Sequence, residues 1–150
     1  MSKTYWQHYS HPADMGIRGV GQTKEQAFAQ AALALTAVIT DLNRVEPKEV
    51  IEIGCEEQDD ELLFVSWLNA LIFEMATRSM LFSKFEVKIK DSVLSANVYG
   101  EKIDLKRHNP AVEVKAATYT DLKVRQFGTE LTVEGQNKDD GWMAQCIVDV

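Results

Sequence analysis

The chain has 150 residues, 45% hydrophobic and 26% charged, a length at which a folded domain hides roughly 70% of the surface its unfolded chain exposes. One globular domain over residues 1–150 is expected, and disorder and collagen-like repeats are excluded, because no Pro-, Gly- or Ser-rich stretch dilutes the apolar residues. Sixteen Lys and Arg against 23 Asp and Glu leave a net charge of −7, which argues against a dedicated DNA- or RNA-binding module and for cations or a basic protein as partners.

The segment from Lys84 to Arg125 is the exception, with 9 basic and 6 acidic residues, and reads as a solvated sheet surface. No apolar signal opens the chain at Met1 to His8. The longest apolar stretch, Leu62 to Ala76, is 15 residues broken by Ser66, Asn69 and Glu74, against the ~20 a membrane span needs. A soluble, cytoplasmic protein with no membrane partner is expected. Cys55 and Cys146 each sit in a strand-like apolar run and read as reduced core residues.

In chain order, the glycine-spaced segment Gly16 to Gly21 reads as strand. Thr23 stands three residues before Gln26, the capping-box spacing that opens a helix. Phe28, Ala31, Ala32, Leu35, Val38, Ile39 and Leu42 then recur at three and four, one buried stripe ended by Asn43 and Pro47. Glu49 to Cys55 alternates as a half-buried strand, with Ile51, Ile53 and Cys55 on one side. The acidic run Glu56 to Glu61 precedes a second helix, where negative charge offsets the macrodipole and Asp59 or Asp60 caps free amides. That helix is apolar on nearly all sides, from Leu62 and Leu63 through Trp67 and Leu68 to Phe73 and Met75, and is expected at the centre of the core.

From residue 83 the period becomes two. Phe85, Val87 and Ile89 lead to a turn at Asp91 and Ser92, and Leu94, Ala96 and Val98 return as a hairpin. Val112 to Tyr119 and Leu122 to Phe127 read as further strands. Leu131 and Val133 lead to a turn at Asn137 to Gly141, and Trp142, Ala144, Cys146 and Val148 share one face of a last strand. The expected fold class is α+β, two helices packed with mainly antiparallel β-sheet.

Few residues offer chemistry. His8 and His11, with Asp14 three residues on, have metal-ligand residue types, but Pro12 disfavours the helical turn that would bring them together. His108 lies in a charged loop and reads as solvated. Asp14 is either a hard oxygen ligand or a turn residue accepting backbone amides. Asp149 and the Val150 carboxylate lie one residue apart, a donor pair suited to calcium or magnesium, or else a plain exposed strand end. The spacing Gly16-x-x-Gly19-x-Gly21 is not a phosphate loop. No nucleophile–base or paired-carboxylate arrangement stands out, so no enzymatic chemistry is expected.

Three segments together resemble the archease family over the whole chain. His11-Pro12-Ala13-Asp14-Met15-Gly16 is similar to its opening His-x-Ala-Asp-x-Gly. Asp60-Glu61-Leu62-Leu63-Phe64-Val65-Ser66-Trp67-Leu68-Asn69 is similar to its acidic Leu-Leu-x-x-Trp-Leu-Asn helix. Lys115-Ala116-Ala117-Thr118-Tyr119 and the ending Val148-Asp149-Val150 are similar to its Lys-Ala-x-Thr-Tyr-His strand and Val-Asp-Ile/Val close. Thr120 stands where the family usually has His.

The resemblance implies a non-catalytic accessory factor of an RtcB-type tRNA-splicing RNA ligase, promoting its GTP-dependent guanylylation and multiple turnover in tRNA splicing and RNA repair. It implies a divalent cation, calcium first and magnesium or manganese next, held by Asp14, Asp149 and Val150. His11, Lys115 and Thr118 are secondary or partner-site candidates. No sequence-specific nucleic-acid contact is implied. Two other classes compete: a metal-dependent phosphohydrolase or nuclease, and a chaperone-like binding module with exposed strand edges.

Overall fold

A computed structural model describes residues 3–12, 14–128 and 140–150. The architecture is α+β and mainly antiparallel. A first hairpin, β1 (Tyr5–His11) and β2 (Asp14–Gly21), leads into α1 (Lys24–Ile39). A 3-10 turn at Leu42–Arg44, β3 (Glu49–Glu56) and α2 (Asp60–Arg78) follow. Then come β4 (Met80–Lys90), β5 (Val93–Lys102), a four-residue helix α3 (Leu105–His108), β6 (Ala116–Ala117), β7 (Lys123–Phe127) and β8 (Gly141–Asp149).

The strands form two sheets. One runs β1-β2-β8-β6, with β7 also paired to β8, and the other runs β3-β5-β4. The long helices lie between them: α1 contacts β1, β2 and β8 on one side and β4 on the other, while α2 touches strands of both sheets. This explains why α1 buries Ala27, Ala31, Ala32 and Ala34 as well as Phe28 and Leu35. Small side chains let a helix sit close to a sheet on either side. At Gly19 the approach is closest, since a Cβ there would overlap the backbone at Ala27 and Ala31. The core centres on Phe28, Phe64, Trp67 and Phe82, all fully buried. Phe28 meets Phe64 edge-on at 5.0 Å and Trp67 meets Phe85 at 6.1 Å, the geometries aromatic quadrupoles favour. The Trp67 Nε1–H donates to Phe28 O at 3.1 Å.

The caps are as expected. Thr23 accepts from Gln26 N–H, and Asp59 accepts from Glu61 and Leu62 N–H. The Gln26 side chain, however, accepts from Gln22 N–H, one residue before the position of a regular capping box. The β4–β5 turn places Asp91 and Ser92 at φ 51° and 70°, the left-handed pair of a two-residue hairpin.

Several boundaries differ. The first helix ends at Ile39, because Thr40 turns extended and its hydroxyl donates to His108 O; Leu42 falls in the 3-10 turn. On α2, Leu62 and Phe73 are 41% and 62% exposed, at the two ends of the helix side whose middle residue, Asn69, is hydrogen-bonded to Ala117 of β6. β4 starts at Met80, three residues before the alternation, because Met80, Leu81 and Phe82 are buried in succession where the strand passes α1. Val112 to Lys115 is not strand; only Ala116–Ala117 pairs, with Val148 and Asp149. Tyr5–His11 is a full edge strand, although its sequence shows no clear alternation. The expected elements at Leu131, Val133 and Asn137 lie outside the described residues. Cys146 is buried and Cys55 half-buried, and both are free thiols.

His108 is the clearest reversal. It is 1% exposed, accepts the Asp104 N–H on Nδ1 at 2.8 Å, and holds Nε2 3.0 Å from Glu101 Oε2. With Nδ1 accepting, the ring proton sits on Nε2 and faces the carboxylate. The charged loop around it folds into α3, capped by Asp104.

Candidate metal centre

Register brings the candidate residues to one corner of the five-stranded sheet. In β1–β2, His11 is opposite Asp14; in β2–β8, Met15 is opposite Val148; in β6–β8, Ala116 is opposite Asp149. The β2–β8 ladder ends at Met15 and Val148, so Asp14 and Asp149 each stand one residue beyond its last pair, at the same end of the two strands. Alternation then decides the face. Ile17, Ala144, Cys146 and Val148 are buried in the core, and Gly19 meets α1, so Asp14, Gly16 and Arg18 with Gln145, Ile147 and Asp149 point to the opposite, outer face. The two aspartates therefore share an outer corner, with Val150 next in chain.

Neither carboxylate is engaged in an ion pair or side-chain hydrogen bond among the described residues. The neighbouring His11 Nδ1 is buried without a partner. Unpaired hard oxygens beside an unsatisfied buried nitrogen suit a cation far better than a closed structural network does. No three His, Cys, Asp or Glu side chains converge on one point among the described residues. His11, Asp14 and Asp149 therefore do not form such a group by themselves.

Lys115 and Thr118 lie beside the corner and are bonded to the backbone of β8. Lys115 N–H donates to Asp149 O at 2.7 Å. Thr118 donates to Ile147 O twice, through N–H at 3.0 Å and Oγ1 at 2.8 Å. Thr120 O accepts from Ile147 N–H and its own N–H donates to Thr118 Oγ1. These bonds pin residues 115–120 along the end of β8. His8 faces inward, with Nε2 2.8 Å from Ala34 O on α1, away from the aspartates.

A second network on the outer face was not visible in the sequence. Tyr9 lies over Gly16, where a Cβ would strike its ring, and donates to Asp121 Oδ2 at 2.9 Å. Gln145 Nε2 reaches the same oxygen at 3.0 Å and Asp121 O at 3.2 Å. Arg18 Nε donates to Gln145 Oε1 at 2.8 Å, and its guanidinium carbon sits 4.6 Å from the Tyr9 ring centre. Burial, then the bond to Asp121, pushes the Tyr9 phenol well up from its ordinary value. Tyr9 and Asp121 are 112 residues apart, so no local pattern could announce them; only the glycine opposite Tyr9 hints at a side chain lying flat.

With two helices between two mainly antiparallel sheets, the chain has the architecture of a family of small α+β proteins. It belongs to the archease family: the family described as "Archease protein family (MTH1598/TM1083)" matches residues 6–150. The chain is 42% identical over 149 residues to the protein archease of Pyrococcus abyssi (strain GE5 / Orsay), covering 97% of this chain and 98% of that one. It is 31% identical over 150 residues to the protein archease of Methanosarcina barkeri, covering 97% and 95%. The solution structure of Methanobacterium thermoautotrophicum protein 1598 shares the fold at a TM-score of 0.77 and 32% identity, covering 97% and 98%. No helix among the described residues is long and apolar enough to cross a membrane.

Proposed function

We propose that this chain is a non-catalytic activator of an RtcB-type tRNA-splicing RNA ligase, promoting its GTP-dependent guanylylation and its multiple turnover. The observation that carries the reading is the placement of Asp14 and Asp149 at the same end of β2 and β8, just beyond the Met15–Val148 pair, with no ion pair to either among the described residues. Asp14, Asp149 and the Val150 carboxylate would hold a divalent cation, calcium first and magnesium or manganese next, since all three donors are hard oxygens. Such a cation supplies charge neutralisation at phosphate oxygens. The chain's own part is to present that corner. The backbone bonds of Lys115 and Thr118 to β8 keep Asp149 in register, and the hairpin register keeps Asp14 beside it. An acidic protein with one protruding corner suits insertion into a basic, phosphate-binding cleft, where phosphoryl transfer depends on positioning and electrostatic stabilisation. The cytoplasm, where tRNA splicing substrates meet such a ligase, is the compartment this reading implies.

The test is RNA joining by substoichiometric ligase with GTP and divalent metal, with this protein or its Asp14→Ala and Asp149→Ala variants. Wild type should convert one round of joining into many, and both variants should fail. A ligase indifferent to the wild-type protein overturns the reading. Phosphoester cleavage by the protein alone would replace it with a hydrolase.

A further inference from the structure

On the outer face of the five-stranded sheet, the row next inward from the aspartates runs Tyr9, Gly16 and Ile147 across β1, β2 and β8. Two residues further toward the corner on the same three strands stand His11, Asp14 and Asp149. Both long helices lie against the other face, yet Gly16 and Ile147 are buried, so the protein itself roofs this row. The Tyr9 ring lies flat on Gly16, where a Cβ would strike it. Its hydroxyl donates to Asp121 Oδ2 at 2.9 Å, and Asp121 follows Thr120, whose carbonyl accepts from Ile147 N–H. Ring and turn thus close over Ile147 from its two sides.

The turn that supplies Asp121 is irregular. Past Ala117, Thr118 and Thr120 both bond Ile147, and the chain then reverses with Leu122 N–H donating to Tyr119 O at 3.4 Å. Asp121 sits there at φ 53°, a left-handed conformation that persists where its surroundings over-determine it. They do so here, because Gln145 Nε2 donates to the same carboxylate oxygen at 3.0 Å and to Asp121 O at 3.2 Å. Arg18 Nε donates to Gln145 Oε1 at 2.8 Å, and the Arg18 guanidinium lies 4.6 Å from the Tyr9 ring centre. The contacts close into a loop, Tyr9 to Asp121 to Gln145 to Arg18 and back to Tyr9, with one member each from β1, the turn, β8 and β2.

We infer that this loop of four side chains is a strap that positions the aspartate corner, with Tyr9 and Asp121 as its clasp. The β2–β8 ladder ends at Met15 and Val148, so no backbone pair of their own holds Asp14 beside Asp149, and like charges held close together push the strand ends apart. A strap one row inward resists that splaying, because it ties β1, β2 and β8 to the turn beyond. Its members bond neither aspartate side chain among the described residues and are positioning residues. As far as it concerns a cation, this role rests on the functional reading above: two carboxylates held at a set spacing lose less freedom on capturing an ion than two that swing.

The experiment is residue-resolved hydrogen exchange of the full chain without metal, read at the Lys115, Thr118 and Ile147 amides that bond along the end of β8, followed by calorimetric titration with calcium. Tyr9→Phe keeps the ring and removes the bond to Asp121. It should speed exchange at those three amides about tenfold, as loss of one hydrogen bond to a carboxylate does, leave β4 and β5 amides at their wild-type rates, and weaken calcium binding several-fold. Asp121→Gly, which adopts a positive φ freely, should do the same, and the double variant should be no faster than Asp121→Gly alone, since both act on one bond. Thr36→Val, which removes a buried bond to Phe82 O between α1 and β4, should lower the melting temperature while leaving calcium affinity unchanged. Acceleration spread evenly over all strands, no acceleration, or additive effects in the double variant overturns the strap. Faster corner amides with undiminished calcium affinity overturn its positioning role. A wild-type chain that takes up no calcium, with the local acceleration present in Tyr9→Phe, leaves the strap standing and overturns the cation reading instead.

Discussion

Arg107 meets Glu101 with both prongs of its guanidinium, Nη1 to Oε2 and Nη2 to Oε1, each at 2.7 Å. Glu101 is 4% exposed and also accepts from Glu46 N–H at 2.7 Å and from His108 Nε2 at 3.0 Å. One carboxylate thus ties β5, the loop before β3 and α3 together, and it is affordable inside the protein because every donor is aimed at its charge.

Glu101 makes the fold acid-sensitive. The Arg107 guanidinium first, then the Glu46 amide and His108, hold its carboxyl well below its ordinary value of 4.5. A folded-state value below the unfolded one means that the stabilisation is complete above about pH 5 and is lost as pH falls through the unfolded value toward the folded one. Urea midpoints should therefore drop between about pH 5 and pH 3. Glu101→Gln should lower stability at pH 7 by on the order of 2 kcal/mol, the worth of hydrogen bonds to a charged group, and flatten the profile in that window. An unchanged slope in the variant would assign the acid sensitivity to other carboxylates.

Gly19 should tolerate no side chain. A Cβ would meet Ala27 O and Ala31 N, which are helix backbone and cannot swing aside as a side chain would. Gly19→Ala should cost about 3 kcal/mol or more, at the upper end of overpacking penalties, whereas Gly54→Ala, whose new Cβ would find Leu94 O at 3.9 Å, should stay within about 1 kcal/mol of wild type. Thermal melts of the two variants compare them directly.

How far these features were legible depended on the range of the interaction. Thr23, Asp59 and the Asp91–Ser92 turn were readable because capping and turn chemistry act within three residues. The last strand was readable because Trp142, Ala144, Cys146 and Val148 alternate over one buried face. Met80 to Phe82 was not, since burial on both faces erases the period, and neither were the true exposures of Leu62 and Phe73, which depend on where a sheet stops. His108 and Glu101 are seven residues apart, yet a charged loop looks the same whether or not it folds inward. At the corner, Asp14 and Asp149 stand out individually in the sequence, and that they lie at the same end of β2 and β8 follows only from the sheet register.

The two thiols should separate by reactivity. Burial raises the Cys146 thiol to about 12 and also closes it to reagent, while Cys55 is half-buried and raised by burial first and Glu57 second. Because the thiolate is the reactive form, a thiol-reactive dye at pH 8 should label Cys55 slowly and Cys146 only at the rate of unfolding. Cys55→Ser should abolish native labelling; rapid labelling of that variant would show that β8 opens.

Cation binding at the sheet corner should appear as stability before it appears as activity. Asp14 and Asp149 stand at the same end of β2 and β8, and like charges held close together on a sheet are destabilising. A cation bound there removes that repulsion, and a ligand that binds only the folded chain stabilises it by about 2.7 kcal/mol at one hundred times its dissociation constant. The melting temperature should therefore rise with calcium and fall on chelation. Asp14→Asn and Asp149→Asn should each raise the melting temperature without metal, by relieving the repulsion, while losing most of the calcium response. This opposite movement distinguishes a ligand pair from two aspartates that merely support the fold, whose removal would lower stability with and without metal alike. A calcium response that survived in both variants would move the cation to another site.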